Sequence, residues 1–278
     1  TAENLSQALT RFRSERKRRG TEVSRGQIYC VTAAKGGAGA TSVAINLVAS
    51  LSVMQNTQVV LIDLNHPMGD AAAYLNLNPT YNVQDALAQA DRLDPVLLQS
   101  LMTRADGFGV LPGVPEYVSG QEPDPGSLGK LIEVASQTFT HSVVDLPSSL
   151  DEDAMRVVTE SADAVIVVLT PELPALWRTH RLLTFLERTA GTDKIRLVVN
   201  RSAKGDAINE KQIQKVLEHP VYWSLPNDYG AAIGAINSGK PMISVNHSQL
   251  SRSYRELAVS LSGIRTQEKK KGFLNIFG

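Results

Sequence analysis

Short apolar runs alternate along this chain with longer stretches in which apolar residues recur every three or four positions. The runs QIYCVTA (27–33), QVVLIDL (58–64), GFGVLPG (107–113), HSVVDLP (141–147), DAVIVVLT (163–170), KIRLVVN (194–200) and VYWSLP (221–226) predict strands. Between them, TSVAINLVASLSVM (41–54), YNVQDALAQ (81–89), PVLLQSLMTR (95–104), GSLGKLIEVASQT (126–138), DEDAMRVVTESA (151–162) and LPALWRTHRLLTFLERTA (173–190) predict helices, with further helices on either side of the last strand. The strands are continuously apolar, not alternating, as in a sheet covered on both faces. Strand–helix alternation then predicts an α/β fold: a doubly wound, mostly parallel sheet of about seven strands with helices on both faces. No repeat or linker interrupts residues 27–262, so they are expected to form one domain. Residues 1–26 form a basic arm or linker and residues 263–278 a basic-apolar tail.

Composition narrows the class without naming an activity. The chain has 278 residues, 42% hydrophobic and 20% charged, which is ordinary for a soluble globular protein with a buried core. Its formal net charge is zero, so bulk charge offers no argument for nucleic acid. The single cysteine, Cys30, lies inside an apolar run; it cannot form an internal disulfide and is expected to pack in the core. No apolar signal region opens the chain, and no apolar run approaches the ~20 residues of a spanning helix. The expected location is the cytoplasm, at most peripheral at the inner face of a membrane.

Parallel sheets bind ligands at the carboxyl ends of their strands. There the sequence places TAAKGGAGATS (32–42), Asp63, Asn65, Asp145 and Asn200. Glycines in a strand-to-helix turn let backbone N–H groups approach an anion, which the helix N-terminus also favours. Lys35, Gly36, Gly37, Ala38, Gly39, Ala40, Thr41 and Ser42 therefore read as a phosphate loop, although a Gly-rich turn alone can be a plain tight connection. In the usual loop a lysine stands just before the Thr; here that residue is Ala40. Thr41 stands where a hydroxyl would ligate Mg²⁺, and Asp145 supplies an acid on the metal side. Asp63 reads either as a site acid or as a strand-end cap.

Together these segments resemble the deviant Walker A ATPases of the MinD/ParA family, a group of SIMIBI P-loop proteins whose loop reads K-G-G-x-G-K-[ST]. The resemblance spans about residues 27–262. It implies ATP or ADP with Mg²⁺ as cofactors, and a homodimer in which Lys35 crosses to the partner's nucleotide. Asp63 matches the first acid of the family's D-x-D segment, and Asn65 replaces the second, which positions the attacking water. Asp145 matches the acid that holds Mg²⁺ through water. Asn200, followed by Arg201, matches the residue that reads adenine, and Pro226 and Asn227 match a loop covering the base; turn chemistry explains both segments equally well without the family. A lysine on phosphate makes charge-assisted bonds worth roughly 1.5–3 kcal/mol. Its loss at Ala40 then costs ~10–100-fold in affinity and more in turnover, since phosphoryl transfer needs that charge. Asn65 can hydrogen-bond water but cannot take a proton. Weak or absent hydrolysis is expected, with Lys35, Asp63 and Asn65 the residues nearest the chemistry and Thr41, Asp63 and Asp145 around the metal.

The segment from Asp145 onward, DLPSSLDEDA followed by TPELPALW and VVNR, is similar to the CpaE/TadZ branch, localisation ATPases of Flp/Tad-type (type IVb) pilus assembly. That branch implies pilus secretion and assembly proteins as partners, a polar position, and a receiver-like domain ahead of the basic arm. Trp177, Arg178, His180 and Arg181 read as a partner-binding hot spot or as an amphipathic helix whose Trp packs on the sheet. His180 has no second His or Cys at ligand spacing and reads as a surface or packed histidine, not a metal ligand. The tail KKKGFLNIFG (269–278) reads as a peripheral membrane contact or a solvated terminus. The arm RFRSERKRR (11–19), with six basic residues, reads as a linker, with DNA ranked below it.

Overall fold

A computed structural model of the chain describes residues 25–116, 123–147, 149–245 and 247–264. The basic arm at 11–19 and the tail at 269–278 lie outside the described residues.

The first strand, β1 (Gln27–Thr32), runs into the glycine-rich loop and helix α1 (Ala40–Ser52). Strand β2 (Val59–Asp63) follows, then three short helices, α2 (Ala71–Tyr74), α3 (Val83–Leu87) and α4 (Pro95–Leu101). Strands β3 (Thr103–Ala105) and β4 (Phe108–Leu111) precede helix α5 (Pro125–Thr138). The second half alternates regularly: β5 (His141–Asp145), α6 (Glu152–Ser161), β6 (Ala164–Leu169), α7 (Leu173–Thr189), β7 (Ile195–Ser202), α8 (Glu210–Leu217) and β8 (Val221–Pro226). Helices α9 (Tyr229–Asn237), α10 (Met242–Val245) and α11 (Gln249–Ser262) close the described chain.

The strands form one eight-stranded sheet in the order β3-β4-β2-β5-β1-β6-β7-β8. All neighbours are parallel except β3 and β4. The chain steps outward from β1 in one direction to β2 and β4, then returns through β5 and leaves in the other direction through β6. The connections after β1, β5 and β6 therefore open at one crevice, where parallel α/β sheets hold ligands.

Both sheet faces are covered, which explains the continuous apolar runs. Successive residues of β1 enter different cores: Tyr29 and Val31 pack with α1, α10 and α11, while Ile28 and Cys30 pack with α5, α6 and α7. Cys30 is fully buried, its Sγ lies on the carbonyl of Val158, and burial pushes its thiol up, as the core reading required. Among the described residues no helix is long and apolar enough to cross a membrane.

The doubly wound expectation holds, with one added strand. Residues 95–104 were expected to be wholly helical, but the helix ends at Leu101 and Thr103–Ala105 turn back as an antiparallel edge against β4. The Asp106–Gly107 pair between the two strands, with Gly107 at φ +87°, was the available hairpin signal.

Candidate functional site

The loop at 33–39 is shaped by glycines where side chains would strain the backbone. Gly37 and Gly39 adopt φ +79° and +97°. Gly39 is the N-cap of α1, and no side chain caps that helix. The amides of its first turn thus remain directed into the crevice, the arrangement that favours an anion. Residue 40 brings a methyl group that leans on the core, with no ammonium.

Strand β7 buttresses this loop. Asn200 Nδ2 donates to the carbonyl of Ala38 at 2.8 Å, and Arg201 Nη2 donates to the carbonyl of Gly37 at 3.1 Å. A Cβ on Gly39 would lie 2.4 Å from Asn200 Nδ2, so the close approach requires glycine there. Asn200 Oδ1 accepts from the backbone of Arg201 at 2.9 Å. The amide expected to read adenine is therefore already engaged on the protein, with one hydrogen and one lone pair left over. Pro226 and Asn227 line an open groove of about 900 Å³ together with Lys204, Trp223 and Arg252, and Asn200 is not part of its wall. The two segments run side by side, Ser202 pairing with Pro226 and its carbonyl accepting from Asn227 N at 2.8 Å.

The acids do converge. Parallel pairing of β2 with β5 sets Asp63 directly beside Asp145. Thr41 Oγ1 donates to Asp145 Oδ2 at 2.6 Å. Asn65 Nδ2 donates to Asp145 Oδ2 and to Asp63 Oδ1, both at 2.7 Å. Asp63 also accepts from the backbone of Asn65 at 2.9 Å and of Ala71 at 3.1 Å. Both readings of Asp63 thus have a structural basis: it caps the turn after β2, and it touches the site through Asn65. Asp63 and Asp145 are 0% and 1% exposed. Burial, followed by the charge of Asp63, pushes the Asp145 carboxyl up to about 7, while the bonds from Thr41 and Asn65 pull it down. Burial likewise raises Asp63.

Asp145 Oδ1 is buried without a hydrogen-bond partner, and so is Thr32 Oγ1 at the end of β1. With the Thr41 hydroxyl, these are oxygen donors that suit a hard cation such as Mg²⁺. No group of three or more His, Cys, Asp or Glu able to hold a metal occurs among the described residues, so water or a ligand's oxygens would complete the shell of such an ion.

Sequence reasoning passed over Glu172. Lys35 Nζ rests on Glu172 Oε1 at 2.5 Å, and Thr170 Oγ1 donates to the same oxygen at 3.1 Å. The pairing spans 137 residues and was signalled only by an unassigned acid in TPELP. Downstream, the ambiguity over Trp177 is resolved. Its side chain stands 74% exposed beside Leu173 at 63%, so it does not pack on the sheet. Arg178, His180 and Arg181 are exposed with it.

No protein-family model matches the chain. The septum site-determining protein MinD of Bacillus subtilis (strain 168) is 24% identical over 261 residues, covering 90% of this chain and 96% of that protein. A ParA family ATPase from Chlorobium tepidum TLS superimposes with a TM-score of 0.77 at 26% identity, covering 84% of this chain and 98% of that one. The septum site-determining protein MinD of Pyrococcus horikoshii OT3, solved in complex with Mg-ADP, superimposes with a TM-score of 0.72 at 22% identity, over 85% and 96% of the two chains. By its relatives and its fold together, the chain is similar to MinD and ParA family proteins.

Proposed function

We propose that this chain is an ATP-binding, dimer-forming switch that localises and assembles type IVb (Flp/Tad) pilus machinery in the manner of CpaE/TadZ proteins, with weak or absent hydrolysis. The observation that carries the low-turnover part is the state of residues 40 and 65. The anion-binding loop and the Thr41–Asp145 pair are in place. The in-line ammonium is missing, and where a water-activating carboxylate would stand, an amide donates to both acids.

In this reading the amides of residues 36–42 hold the triphosphate, and Thr41 and Asp145 hold Mg²⁺, which would neutralise phosphate charge when bound. Lys35 leaves Glu172 to reach the nucleotide of a second copy. Both side chains of that pair are more than a third exposed, so water competes and the resting contact is a weak tether. The exposed face of α7, with Leu173 and Trp177, is the docking surface for pilus secretion proteins.

A fluorescent ATP analogue titrated with Mg²⁺, followed by phosphate release, tests this. The expected result is saturable binding with dimerisation and little phosphate. Absence of binding at millimolar nucleotide overturns the switch. An active ATPase cycling on a membrane or DNA is the second reading, favoured by the retained Lys35, Thr41, Asp63 and Asp145. Phosphate release by the unmodified chain as fast as by Ala40→Lys would establish it.

A further inference from the structure

We propose that Asn65 is a positioning residue that stands in for a cation: its side-chain amide holds Asp63 and Asp145 together, so this chain keeps its acid pair closed without a divalent ion.

The geometry is specific. One nitrogen, Asn65 Nδ2, has two hydrogens and two carboxylate acceptors, each at 2.7 Å. The Thr41 hydroxyl and the backbone N–H groups of Asn65 and Ala71 supply the other donors. Three of the four carboxylate oxygens are thereby bonded, and only Asp145 Oδ1 is left without a partner. Asn65 Nδ2 is the donor common to both acids. Two buried carboxylates side by side repel, and a bridging donor or cation relieves that repulsion. An aspartate at position 65 would bring a third carboxylate and no hydrogen to the same point.

The bridge also pins the segment after β2. Leu64 N donates to Asp145 O at 2.9 Å, and Gly69 N donates to Val114 O at 2.9 Å. A Cβ on Gly69 would lie 2.5 Å from Asp63 Oδ2, so this segment is seated directly on the acid. The turn after β2 is therefore held to both acids by one side-chain amide. Only the choice of Mg²⁺ as the ion rests on the nucleotide-switch reading; the bridge itself does not.

Thermal unfolding without nucleotide, in chelator and in millimolar Mg²⁺, tests the assignment. The unmodified chain is expected to unfold at the same temperature in both. Asn65→Asp is expected to lose roughly 3–8 °C in chelator and to regain most of it in Mg²⁺, with Mn²⁺ bound at least tenfold more tightly by electron paramagnetic titration. Asn65→Ala, which removes the donor without adding charge, is expected to fall by less and also to recover. The double change Asn65→Asp with Asp145→Asn returns the charge count and one amide, and is expected to melt near the unmodified chain with no response to Mg²⁺; it carries the test if Asn65→Asp alone does not fold. Equal stability of Asn65→Asp, Asn65→Ala and the unmodified chain in chelator overturns the proposal. So does an Mg²⁺ response as large in the unmodified chain as in Asn65→Asp. No nucleotide is present, so failure here leaves the ATP reading standing, and failure to bind ATP leaves the bridge standing.

Discussion

Asp145 is a single side chain under opposed influences, and its protonation is measurable. Burial and the neighbouring Asp63 charge raise its carboxyl to about 7, against the partial relief from Thr41 and Asn65. Asp70 adds a smaller repulsion from the same side. The sign of the stability effect follows from linkage. As pH falls through about 7 the folded chain takes up a proton here, while the unfolded chain does so only near the ordinary aspartate value of about 4. Without metal, this residue therefore costs stability above pH 7, and the cost is lost progressively as pH falls from about 7 to about 4. Asp145→Asn supplies the neutral form at every pH. Its Oδ1 can accept from Thr41 and Asn65, and its amide fills the place of the unpartnered oxygen. The variant is expected to melt above the unmodified chain at pH 8 in chelator, with the gap narrowing as pH falls below about 7 and closing near pH 4. A constant gap across that range would mean that Asp145 does not titrate there.

At the scale of elements, helix α7 sets buried and exposed large side chains within five residues of each other. Leu176 is fully buried and Trp177 is 74% exposed. Leu176→Ala is expected to cost ~2–5 kcal/mol in denaturant unfolding, whereas Trp177→Ala should stay within ~0.5 kcal/mol. If α7 is the docking face, Trp177→Ala nevertheless loses co-purification with pilus secretion proteins; retained co-purification would place that contact elsewhere. The phase of this helix was hard to read in the sequence because small residues help define its buried side. Ala175 and Thr179 face the core with Leu176, Leu183 and Leu186, while Leu173 and Trp177 do not. The long strands were legible because burial on both faces leaves an unbroken apolar run, as in Ala164–Leu169. The three-residue β3 was not, since its Thr103-Arg104-Ala105 continues a helical pattern and its pairing depends on β4. The loop was legible from glycines and Thr41, which are local in sequence. The Asn65 bridge and the Lys35–Glu172 contact were not, because they join residues 80 and 137 apart that meet only once β2, β5 and β6 take their places in the sheet.

At the scale of the whole molecule, a nucleotide shifts a monomer–dimer equilibrium only through its different affinity for the two states. Position 40 and Lys35 bear on that difference in separate ways. A lysine at position 40 would grip phosphates within its own subunit, in monomer and dimer alike. Ala40→Lys is therefore expected to tighten ATP binding ~10–100-fold while leaving the dimerisation constant of the ATP-saturated protein unchanged. Lys35 instead rests on Glu172 of its own chain; in the proposed dimer it would reach a second nucleotide only when two chains face each other. Lys35→Ala should bind ATP as a monomer with nearly the original affinity, yet fail to dimerise at saturating nucleotide. Sedimentation velocity at fixed protein concentration, with ATP titrated to saturation, distinguishes the two. Were Ala40→Lys to strengthen the saturated dimer, or Lys35→Ala to dimerise normally, the coupling would have to run through other residues. The turn pinned by Asn65 is then the element to examine, because it links the loop of β2 to Asp145 without a ligand.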